Sequence, residues 1–452
     1  MPAPSETLMV SVSGVRGIVG TDLTPEFVAR YAAAFGVLAR DTGSPRVVLA
    51  RDARTSGPMF ADAASSGLRS VGCTVVDCGL IPTPTAQLAV EHHHAGGGII
   101  LTASHNPIEW NALKFVGPDG LFLDQETSAR LQALVAGVIP RVSWDGLGGT
   151  ETDGGAIRRH IDLILALPFV DVAAIRARRF RVALDCVRGA GGTAMPAILE
   201  ALGCTVSGIH LETDGRFPRP PEPTPERLGD LGELVTRTGA VVGMAVDPDV
   251  DRLALVDEAG CPIGEDYTLA FAVEAVLRRR SGPVVVNLST SLVVDDAARA
   301  YGASVARAPV GEANVARAMR AAEAVVGGEG NGGVMLPALH LGRDAPLAAA
   351  LVLDLLAADG RSVSARVAAR PRYAIVKAKT PRGGDLAALY RALESRFGDA
   401  RPDRQDGLRL GWDDRWLHVR PSGTEPIVRI IAEAPTAAAA DQLVAACRAT
   451  LA

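Results

Sequence analysis

Three carboxylates at alternate positions follow the apolar run Ala-Val-Val-Gly-Met-Ala-Val in the middle of the chain. They are Asp247, Asp249 and Asp251. Carboxylates this close repel one another unless a cation lies among them, and oxygen ligands suit a hard divalent cation such as Mg2+. An EF-hand is the rival interpretation, but Arg252 occupies the position that needs glycine and residues 253–256 are typical of a returning strand. The pattern favours a metal loop, with a solvated acidic turn as the alternative.

A second loop places a hydroxyl beside an imidazole. Thr-Ala-Ser-His-Asn-Pro follows the apolar run Gly-Ile-Ile-Leu, so Ser104 and His105 come just after a predicted strand. A serine with an adjacent base can act as a nucleophile, although such pairs also occur in ordinary turns. A Gly-x-Ser-x-Gly elbow is missing, so a hydrolase of that kind is not supported.

A third loop, near the end of the chain, suits an anion. Arg420 opens the run Arg-Pro-Ser-Gly-Thr-Glu-Pro, and Arg429 follows it. The hydroxyls of Ser422 and Thr424 and the backbone N–H groups around Gly423 can bind anionic oxygens together with these arginines. The GK[ST] element of a Walker loop is missing, and a structural turn with a surface arginine is the alternative.

A glycine-rich loop and two basic segments complete the set of candidate loops. Gly-Gly-Glu-Gly-Asn-Gly-Gly offers Glu329 and Asn331, whose oxygens suit sugar hydroxyls, and its spacing does not match a dinucleotide fingerprint. Glycine-rich turns without a ligand are also common. The segments Ser-Gly-Val-Arg-Gly, which contains Arg16, and Arg-Asp-Ala-Arg-Thr-Ser, which contains Arg54, can face an anion, but each segment taken alone favours a surface turn.

The elements between these loops are typical of α/β architecture. Short β-branched runs alternate with Ala/Leu/Arg-rich stretches of helical period in each third of the chain up to about residue 370. Each third ends in a polar or glycine-rich loop, where ligands bind in open α/β sheets. The last part fits a small α+β module. Glycine and proline punctuation divides the chain into residues 1–150, 151–256, 257–370 and 371–452.

Composition excludes several classes of protein. The chain has 452 residues, with 46 basic against 51 acidic residues, 48% hydrophobic and 21% charged. This balance predicts a folded protein of about three domains, without a basic excess for nucleic acid. The longest membrane candidate, residues 346–358, is too short and contains Asp354. We therefore expect no membrane segment, and we expect no leader. The six cysteines are scattered and form no CxxC pair, which predicts reduced thiols in a cytoplasmic protein.

Together, the four loops resemble those of the α-D-phosphohexomutase superfamily, which comprises phosphoglucomutases, phosphomannomutases and phosphoglucosamine mutases. Thr-Ala-Ser-His-Asn-Pro is similar to its phosphoserine loop, Asp-Pro-Asp-Val-Asp-Arg to its metal loop, Gly-Glu-Gly-Asn-Gly-Gly to its sugar loop and Arg-Pro-Ser-Gly-Thr-Glu-Pro to its phosphate loop. Four motifs in the family's order are specific where each alone is not. The resemblance implies three related α/β domains plus a smaller C-terminal α+β domain around a central cleft. It also implies a phosphosugar substrate and a monomer or homodimer.

The resemblance further implies two phosphoryl transfers through a phosphoserine at Ser104 and a hexose 1,6-bisphosphate, which also serves as activator. Mg2+ would be held by the serine phosphate and the three aspartates, with Arg252 and Arg16 at the phosphoryl oxygens. Lys114 corresponds to the family position associated with proton transfer, and His105 lies next to the phosphoryl group. Glu329 and Asn331 would bind the sugar hydroxyls. The distal phosphate would be bound by Arg420, Ser422, Gly423, Thr424 and Arg429.

One departure from the family pattern concerns the sugar loop. Many mannose/glucose mutases carry Ser-Gly-His after the glutamate, whereas this chain has Asn331, Gly332 and Gly333, so an acid/base role for that histidine cannot be transferred. Glu-Gly-Asn-Gly-Gly followed by Gly-Arg-Asp-Ala is more similar to archaeal-type phosphoglucosamine/phosphomannose mutases, which favours glucosamine phosphate as substrate. A mannose/glucose mutase and a non-catalytic phosphosugar-binding protein are the alternatives.

Overall fold

Four β-sheets follow one another along the chain in the computed structural model, which describes residues 7–381, 385–422 and 427–451. In each of the first three sheets, parallel strands joined through helices are flanked on one side by antiparallel pairing, which involves three strands in the first sheet and one strand in the second and third. The fourth sheet is antiparallel throughout. The expected fold class, three α/β domains plus a smaller α+β domain, is confirmed, and the domains are numbered I–IV below.

Domain I contains a sheet in the order β1-β2-β6-β5-β3-β4-β7. Side chains of β3 alternate between its faces: Val47 and Leu49 pack under α1 and α2, whereas Val48 and Ala50 pack under α3. Thr24 accepts a hydrogen bond from the Phe27 N–H and so caps α1. The elements are β1 Met9–Ser11, β2 Gly14–Ile18, α1 Pro25–Asp41, β3 Arg46–Arg51, α2 Gly57–Arg69, β4 Thr74–Leu80, α3 Thr83–His92, β5 Gly97–Leu101, β6 Trp110–Val116, α4 Gln125–Ala136 and β7 Thr150–Thr152, with a 3-10 turn at Trp144–Gly146.

Helix α3 connects domain I to both neighbouring domains. Residues 83–90 are all buried, and polar side chains among them bond outside domain I. The Thr83 hydroxyl donates to Asp249 Oδ2 (2.8 Å) and the Gln87 amide donates to Glu312 Oε1 (3.0 Å). Because buried polar groups need partners, these bonds fix how the loops of domains II and III meet domain I.

Domain II has the strand order β11-β10-β8-β9. Strands β8, β9 and β10 are parallel, and β11 returns antiparallel to β10, so residues 247–252 form the connection between them. This hairpin confirms the predicted returning strand. Glu258 stands at the twelfth position counted from Asp247, where an EF-hand loop would have its last ligand. It accepts hydrogen bonds from Ser364 instead, which agrees with the rejection of an EF-hand. The elements are α5 Ala156–Leu165, α6 Val172–Arg178, β8 Arg181–Asp185, α7 Gly191–Ala201, β9 Thr205–Ile209, α8 Gly229–Thr238, β10 Val242–Val246 and β11 Leu253–Val256, with a 3-10 turn at Pro225–Arg227.

Domain III has the order β13-β12-β14-β15 and contains a helix, α12, that is buried nearly throughout. Asp354 in this helix pairs with Arg278 (2.6 Å) and Arg279 (2.5 Å), which compensates its buried charge. In the described residues, no helix is long and apolar enough to cross a membrane. The elements are α9 Asp266–Leu277, β12 Val284–Asn287, α10 Leu292–Arg299, β13 Val305–Ala308, α11 Glu312–Ala321, β14 Val326–Glu329, β15 Gly333–Met335, α12 Ala345–Asp359 and α13 Val363–Ala368.

Domain IV is a sheet in the order β16-β20-β19-β18-β17 with two helices packed on it. Its core is formed by alternate residues of the strands, among them Leu417 and Val419, together with apolar residues of both helices. The predicted strand–helix end of the chain is thus confirmed. The elements are β16 Ala374–Pro381, α14 Leu386–Arg396, β17 Arg401–Asp403, β18 Leu408–Gly411, β19 Trp416–Pro421, β20 Ile427–Ala434 and α15 Ala437–Leu451.

Candidate active site

Three predicted loops meet where their strands end. Ser104 follows β5, Asp247 follows β10 and Glu329 ends β14, as expected for ligand sites in α/β sheets. They surround a cavity of about 700 Å³ that residues of all four domains line. The predicted site residues among its lining are Arg16, Ser104, His105, Lys114, Arg252, Glu329, Asn331 and Arg429.

Ser104 holds its hydroxyl toward the metal loop. Its φ is +48°, in the left-handed region that non-glycine residues seldom occupy without functional cause, and its N–H donates to Thr102 Oγ1 (3.0 Å). Ser104 Oγ donates to Asp247 Oδ2 (3.1 Å) and lies 3.4 Å from His105 Nδ1. A hydroxyl with a carboxylate and an imidazole in reach has the surroundings that a nucleophile requires.

Arg54 supports the Ser104 loop from below. The sequence favoured a surface turn for its segment, but Arg54 is fully buried, so that prediction is wrong. Its Nε lies 3.1 Å from Asp52 Oδ2, which also accepts a hydrogen bond from Thr102 Oγ1 (2.6 Å). Its Nη atoms donate, over 2.5–2.8 Å, to the backbone carbonyls of Ser104, Asn106, Pro107 and Trp110. These bonds hold the loop in one conformation.

Each aspartate of the predicted metal loop is buried and bonds to a different element. The partners are Ser104 for Asp247 (3.1 Å), Lys114 for Asp249 (2.6 Å) and Arg343 for Asp251. The three carboxylates each bring one oxygen to a common place, where these three oxygens lie within 4.8 Å of one another. The three domains therefore converge on this loop, with Lys114 and Ser104 from domain I and Arg343 from domain III.

The donor set fits a hard divalent cation. Asp249 Oδ1 and Asp251 Oδ1 are buried and accept no hydrogen bond from the described residues, a costly state for carboxylate oxygens unless a cation binds them. Burial and the neighbouring charges of Asp251 and Asp249 raise the pKa of Asp247 well above its usual range. Burial alone would also raise the pKa of Asp249, but Lys114 and Thr83 hold it below its ordinary value. All-oxygen ligands of this charge can bind Mg2+.

His105 and Lys114 bring different groups to the cavity. The charge of Arg252 and burial, with a further contribution from Arg16, lower the pKa of His105 well below its ordinary value, so its imidazole is neutral at pH 7. Lys114 Nζ forms an ion pair with Asp249 and lies 5.5 Å from the centre of the Phe122 ring. The site thus offers a neutral imidazole and an ion-paired lysine side chain.

Two arginines add positive charge above the loop. Arg252 donates through Nη1 to Glu222 Oε1 (3.1 Å) and lies 3.5 Å from Asp251. Arg16, on β2, donates to Asn106 Oδ1 (3.2 Å). Because both line the cavity, they are placed to interact with anionic oxygens near Ser104.

The sugar-loop glutamate is rigidly held. Glu329 Oε1 accepts hydrogen bonds from Asn287 Nδ2 and the Gly311 N–H (both 2.9 Å), and Oε2 accepts from Arg343 Nη1 (2.6 Å). Burial alone would raise its pKa, but Arg343 and Asn287 hold it below the ordinary value. Asn331 is half-buried and lines the same cavity. An ionised, oriented carboxylate of this kind can accept hydrogen bonds from a polyol.

Arg343 and Glu312 line the cavity and were not predicted as site residues. Arg343 Nε donates to Glu312 Oε2 (3.1 Å), and both side chains are buried. Burial is the main cause that raises the pKa of Glu312. The sequence signal for Arg343 was the charged pair Arg343-Asp344 inside an apolar segment. The sequence does not reveal which carboxylates Arg343 binds, because they lie on other elements of the chain.

The structure describes part of the domain IV loop that the sequence predicts to bind phosphate. Arg429 lines the cavity, but Arg420 is not among its described lining residues, and Arg420 Nε lies 2.9 Å from Asp406 Oδ2. Ser422 is buried, and its N–H bonds to the Ile427 carbonyl (2.9 Å). Gly423 and Thr424 lie outside the described residues. The phosphate-binding role of this loop therefore remains a prediction.

Comparison with known proteins assigns the family. The chain matches the α/β/α domains I, II and III of phosphoglucomutase/phosphomannomutase over residues 8–139, 158–260 and 264–373, and the family's C-terminal domain over residues 376–450. It therefore belongs to the phosphoglucomutase/phosphomannomutase family. It is an enzyme of the phosphohexomutase class, whose members are isomerases that transfer phosphoryl groups.

The relatives divide between two names. The chain is 40% identical to a "Phosphoglucomutase/phosphomannomutase" of Thermococcus kodakarensis, over 93% of both chains. It is 37% identical to a "Probable phosphoglucosamine mutase" of Methanopyrus kandleri, over 95% of both. A crystal structure of a phosphoglucomutase/phosphomannomutase family protein from Burkholderia thailandensis has a TM-score of 0.85 at 27% identity and covers 98% of both chains.

Proposed function

We propose that this protein interconverts hexose 6-phosphates and hexose 1-phosphates through a phosphoserine at Ser104 and a hexose 1,6-bisphosphate. The observation that carries the proposal is the contact of Ser104 Oγ with Asp247 (3.1 Å), beside two aspartate oxygens without a hydrogen-bond partner. A nucleophile next to an anionic loop that can hold a cation is what phosphoryl transfer needs and what sugar binding alone does not. The metal is Mg2+ in this proposal, held by Asp247, Asp249, Asp251 and the serine phosphate.

In the first step, the bond between Ser104 Oγ and phosphorus breaks as the free sugar hydroxyl forms a new bond to phosphorus. The sugar hydroxyl gives up its proton, and Ser104 Oγ takes one up. Mg2+, when bound, offsets the charge of the transferring group. Arg16 and Arg252 orient its oxygens from the cavity side. In the return step, Ser104 Oγ must lose its proton. Apart from the proposed metal ligands, the neutral His105 imidazole is the acceptor in reach, at 3.4 Å, and Lys114 is the candidate proton donor to the departing sugar oxygen.

The bisphosphate must turn over within the cleft before the second transfer. We propose that Glu329 and Asn331 bind the sugar hydroxyls that keep their places. The phosphate that does not react is bound by domain IV in either orientation, through Arg429 and the predicted loop partners Arg420, Ser422, Gly423 and Thr424. An added hexose 1,6-bisphosphate acts as activator because it rephosphorylates enzyme that has lost its phosphoryl group.

Glucosamine phosphate is the proposed substrate. Its ammonium group distinguishes it from glucose and mannose phosphates, and Glu312 and Glu329 both line the cavity. A carboxylate retains acceptor sites after one bond to each oxygen, so Glu312 can accept from an ammonium in addition to Gln87 and Arg343. The Asn-Gly-Gly sequence of the sugar loop also favours this substrate.

A second candidate is a mutase for mannose and glucose phosphates with the same mechanism. It is favoured by the identity to the Thermococcus kodakarensis protein (40%), which exceeds that to the Methanopyrus kandleri protein (37%).

The test is mutase turnover with Mg2+ and a trace of glucose 1,6-bisphosphate. Glucosamine, mannose and glucose monophosphates are compared in parallel, and Ser104→Ala serves as control. We expect the highest kcat/KM with glucosamine phosphate and no turnover by the alanine variant. A higher kcat/KM for mannose or glucose phosphate would assign the second candidate. Turnover by Ser104→Ala would contradict the phosphoserine mechanism, as would a purified protein that never gains the mass of one phosphoryl group.

A further inference from the structure

Arg343 bonds to three carboxylates from three different elements. Its Nη2 donates to Asp251 Oδ2 in the metal hairpin, its Nη1 to Glu329 Oε2 at the end of β14 (2.6 Å), and its Nε to Glu312 Oε2 at the start of α11 (3.1 Å). The side chain is 10% exposed. All three nitrogen atoms of the guanidinium are therefore engaged, and each points to a different carboxylate.

The backbone on both sides of Arg343 is anchored as well. The Gly342 N–H donates to His340 Nδ1 (3.2 Å), and the Asp344 N–H donates to the Val334 carbonyl (2.9 Å). Asp344 Oδ2 accepts hydrogen bonds from His160 Nε2 (2.7 Å) and His340 Nε2 (2.9 Å). Since His160 belongs to domain II, the segment that carries Arg343 is fixed from two domains.

The group of His160, His340 and Asp344 has a composition that can bind a metal. Its hydrogen bonds, however, favour contacts among protein groups over binding of a metal. Because the Nδ1 atom of His340 accepts from a backbone N–H, its neutral ring carries the proton on Nε2, where a metal would have to bind. The Thr85 hydroxyl bonds to the second nitrogen of His160 (2.9 Å). The group thus anchors the polypeptide behind Arg343.

We propose that Arg343 is a positioning residue that couples the metal loop to the sugar loop. The proposal rests on the proposed function, in which Asp251 binds the metal and Glu329 binds the sugar. Arg343 holds one oxygen of Asp251, and the other oxygen, Oδ1, is buried, accepts no hydrogen bond from the described residues and lies 3.5 Å from Arg252 Nε. By fixing the carboxylate plane, Arg343 directs that oxygen into the aspartate group, and the same guanidinium sets the position of Glu329.

Arginine is required because its planar fork satisfies three acceptors in different directions at once. A lysine keeps the charge but has one nitrogen, which cannot reach carboxylates on three elements from a single position. Arg343→Lys therefore separates orientation from charge. Arg343→Met would be harder to interpret. Loss of the positive charge removes a repulsion of the metal, and this raises the metal affinity while the lost orientation of Asp251 lowers it.

The experiment measures Mn2+ binding by electron paramagnetic resonance without substrate, and kcat and KM for the sugar phosphate separately. For Arg343→Lys, we expect the Kd for Mn2+ to rise about tenfold, as is typical when the partner of a metal ligand is lost, together with a rise in KM. The matched control is Arg366→Lys. Arg366 is also buried and binds two carboxylates, Glu274 and Asp359, but it is absent from the described lining of the site cavity.

We expect Arg366→Lys to lower the melting temperature without changing Mn2+ affinity or KM. An Arg343→Lys enzyme that folds and keeps either the wild-type Mn2+ affinity or the wild-type KM would overturn the proposal. If that variant does not fold, Glu312→Gln decides through the Kd for Mn2+, because it keeps the shape and weakens one of the three anchors of Arg343, whereas its KM also reports the proposed contact of Glu312 with the substrate. A smaller rise in the Kd for Mn2+ supports the coupling, and an unchanged Kd overturns it. A wild-type protein that binds no Mn2+ would instead contradict the proposed function.

Discussion

Domains I–III and domain IV contribute to the cleft in different ways. The loops of the first three domains bond directly to one another through buried side chains, as in the contacts of Lys114 with Asp249 and of Arg343 with Asp251. Domain IV bonds to domain III through His418 with Ser289 (2.8 Å) and through the buried Glu433 with Ser291. The groups proposed for phosphoryl transfer thus come from domains I–III, whereas the proposed contacts with the distal phosphate depend on domain IV.

The hydrophobic cores show the same difference. One cluster is shared by domains II and III, with α12 in its middle, and Leu121 of domain I packs into a cluster of domain III. The cluster of domain IV draws only on residues of that domain in the described part of the chain. A change inside domains I–III should therefore affect both stability and chemistry, and a change at domain IV should affect mainly substrate binding.

The largest effect is expected from Lys114→Met, which removes the cation beside Asp249. We expect kcat to fall by about 10²–10⁴-fold, the range for loss of a general acid or base. The measurement is steady-state mutase turnover at saturating Mg2+. Lys114→Arg is the control, since it keeps the charge beside Asp249 but is a poor proton donor. Full activity of the methionine variant would remove Lys114 from the mechanism.

Arg54→Met should destabilise the protein more than any other single change described here. It leaves Asp52 buried without its cation and removes one donor from each of four carbonyls, of which that of Pro107 still accepts from the Trp110 N–H. A broken buried ion pair costs about 3–5 kcal/mol. The free energy of unfolding in urea measures the effect, with Arg51→Met as the neighbouring control. If both variants lose the same stability, the support of the Ser104 loop by Arg54 is contradicted.

His418 should make the stability of domain IV depend on pH. Burial is the main cause that lowers its pKa from the ordinary 6.5 to about 4 in the folded protein. The unfolded chain therefore takes up a proton first as pH falls. The contribution of the neutral His418 to the free energy of unfolding is fully present above pH 6.5. It is lost as the pH falls from about 6.5 to 4, to a total of about 3 kcal/mol.

Melting temperatures of the wild type and of His418→Gln, compared from pH 7.5 to 4.5, test this expectation. The glutamine variant should lose less stability than the wild type across that range, although it starts lower because one bond to Ser289 or Asp406 is weakened. Parallel curves for the two proteins would show that His418 is not the responsible group.

The smallest effect is expected from Arg429→Gln in domain IV. We expect KM for the sugar phosphate to rise about tenfold, the value of one charge-assisted contact of about 1.4 kcal/mol, while Mn2+ affinity stays unchanged. Enzyme kinetics and Mn2+ titration of the same preparation measure both. A loss of Mn2+ affinity would show that domain IV is coupled to the metal loop after all.

The sequence was sufficient to find those candidate site residues that lie at the end of a strand. Ser104, Asp247 and Glu329 each follow or end an apolar run, so pattern and chemistry point to the same residues. Arg54 and Arg343 gave no comparable signal, because their partners lie as far as 56 and 92 residues away. Local sequence cannot indicate such long-range bonds, so one arginine was predicted at the surface and the other was not predicted as a site residue.

The bonds of Arg54 have a consequence for protein engineering. Anyone who transplants the Ser104 loop into another scaffold must bring Arg54 and Asp52 with it, although they lie about fifty residues earlier. Without them, carbonyls of residues 104, 106, 107 and 110 would lose their donor, at about 1–3 kcal/mol for each one left buried and unbonded. The smallest portable unit for this chemistry is therefore two separate segments of domain I, joined by one guanidinium.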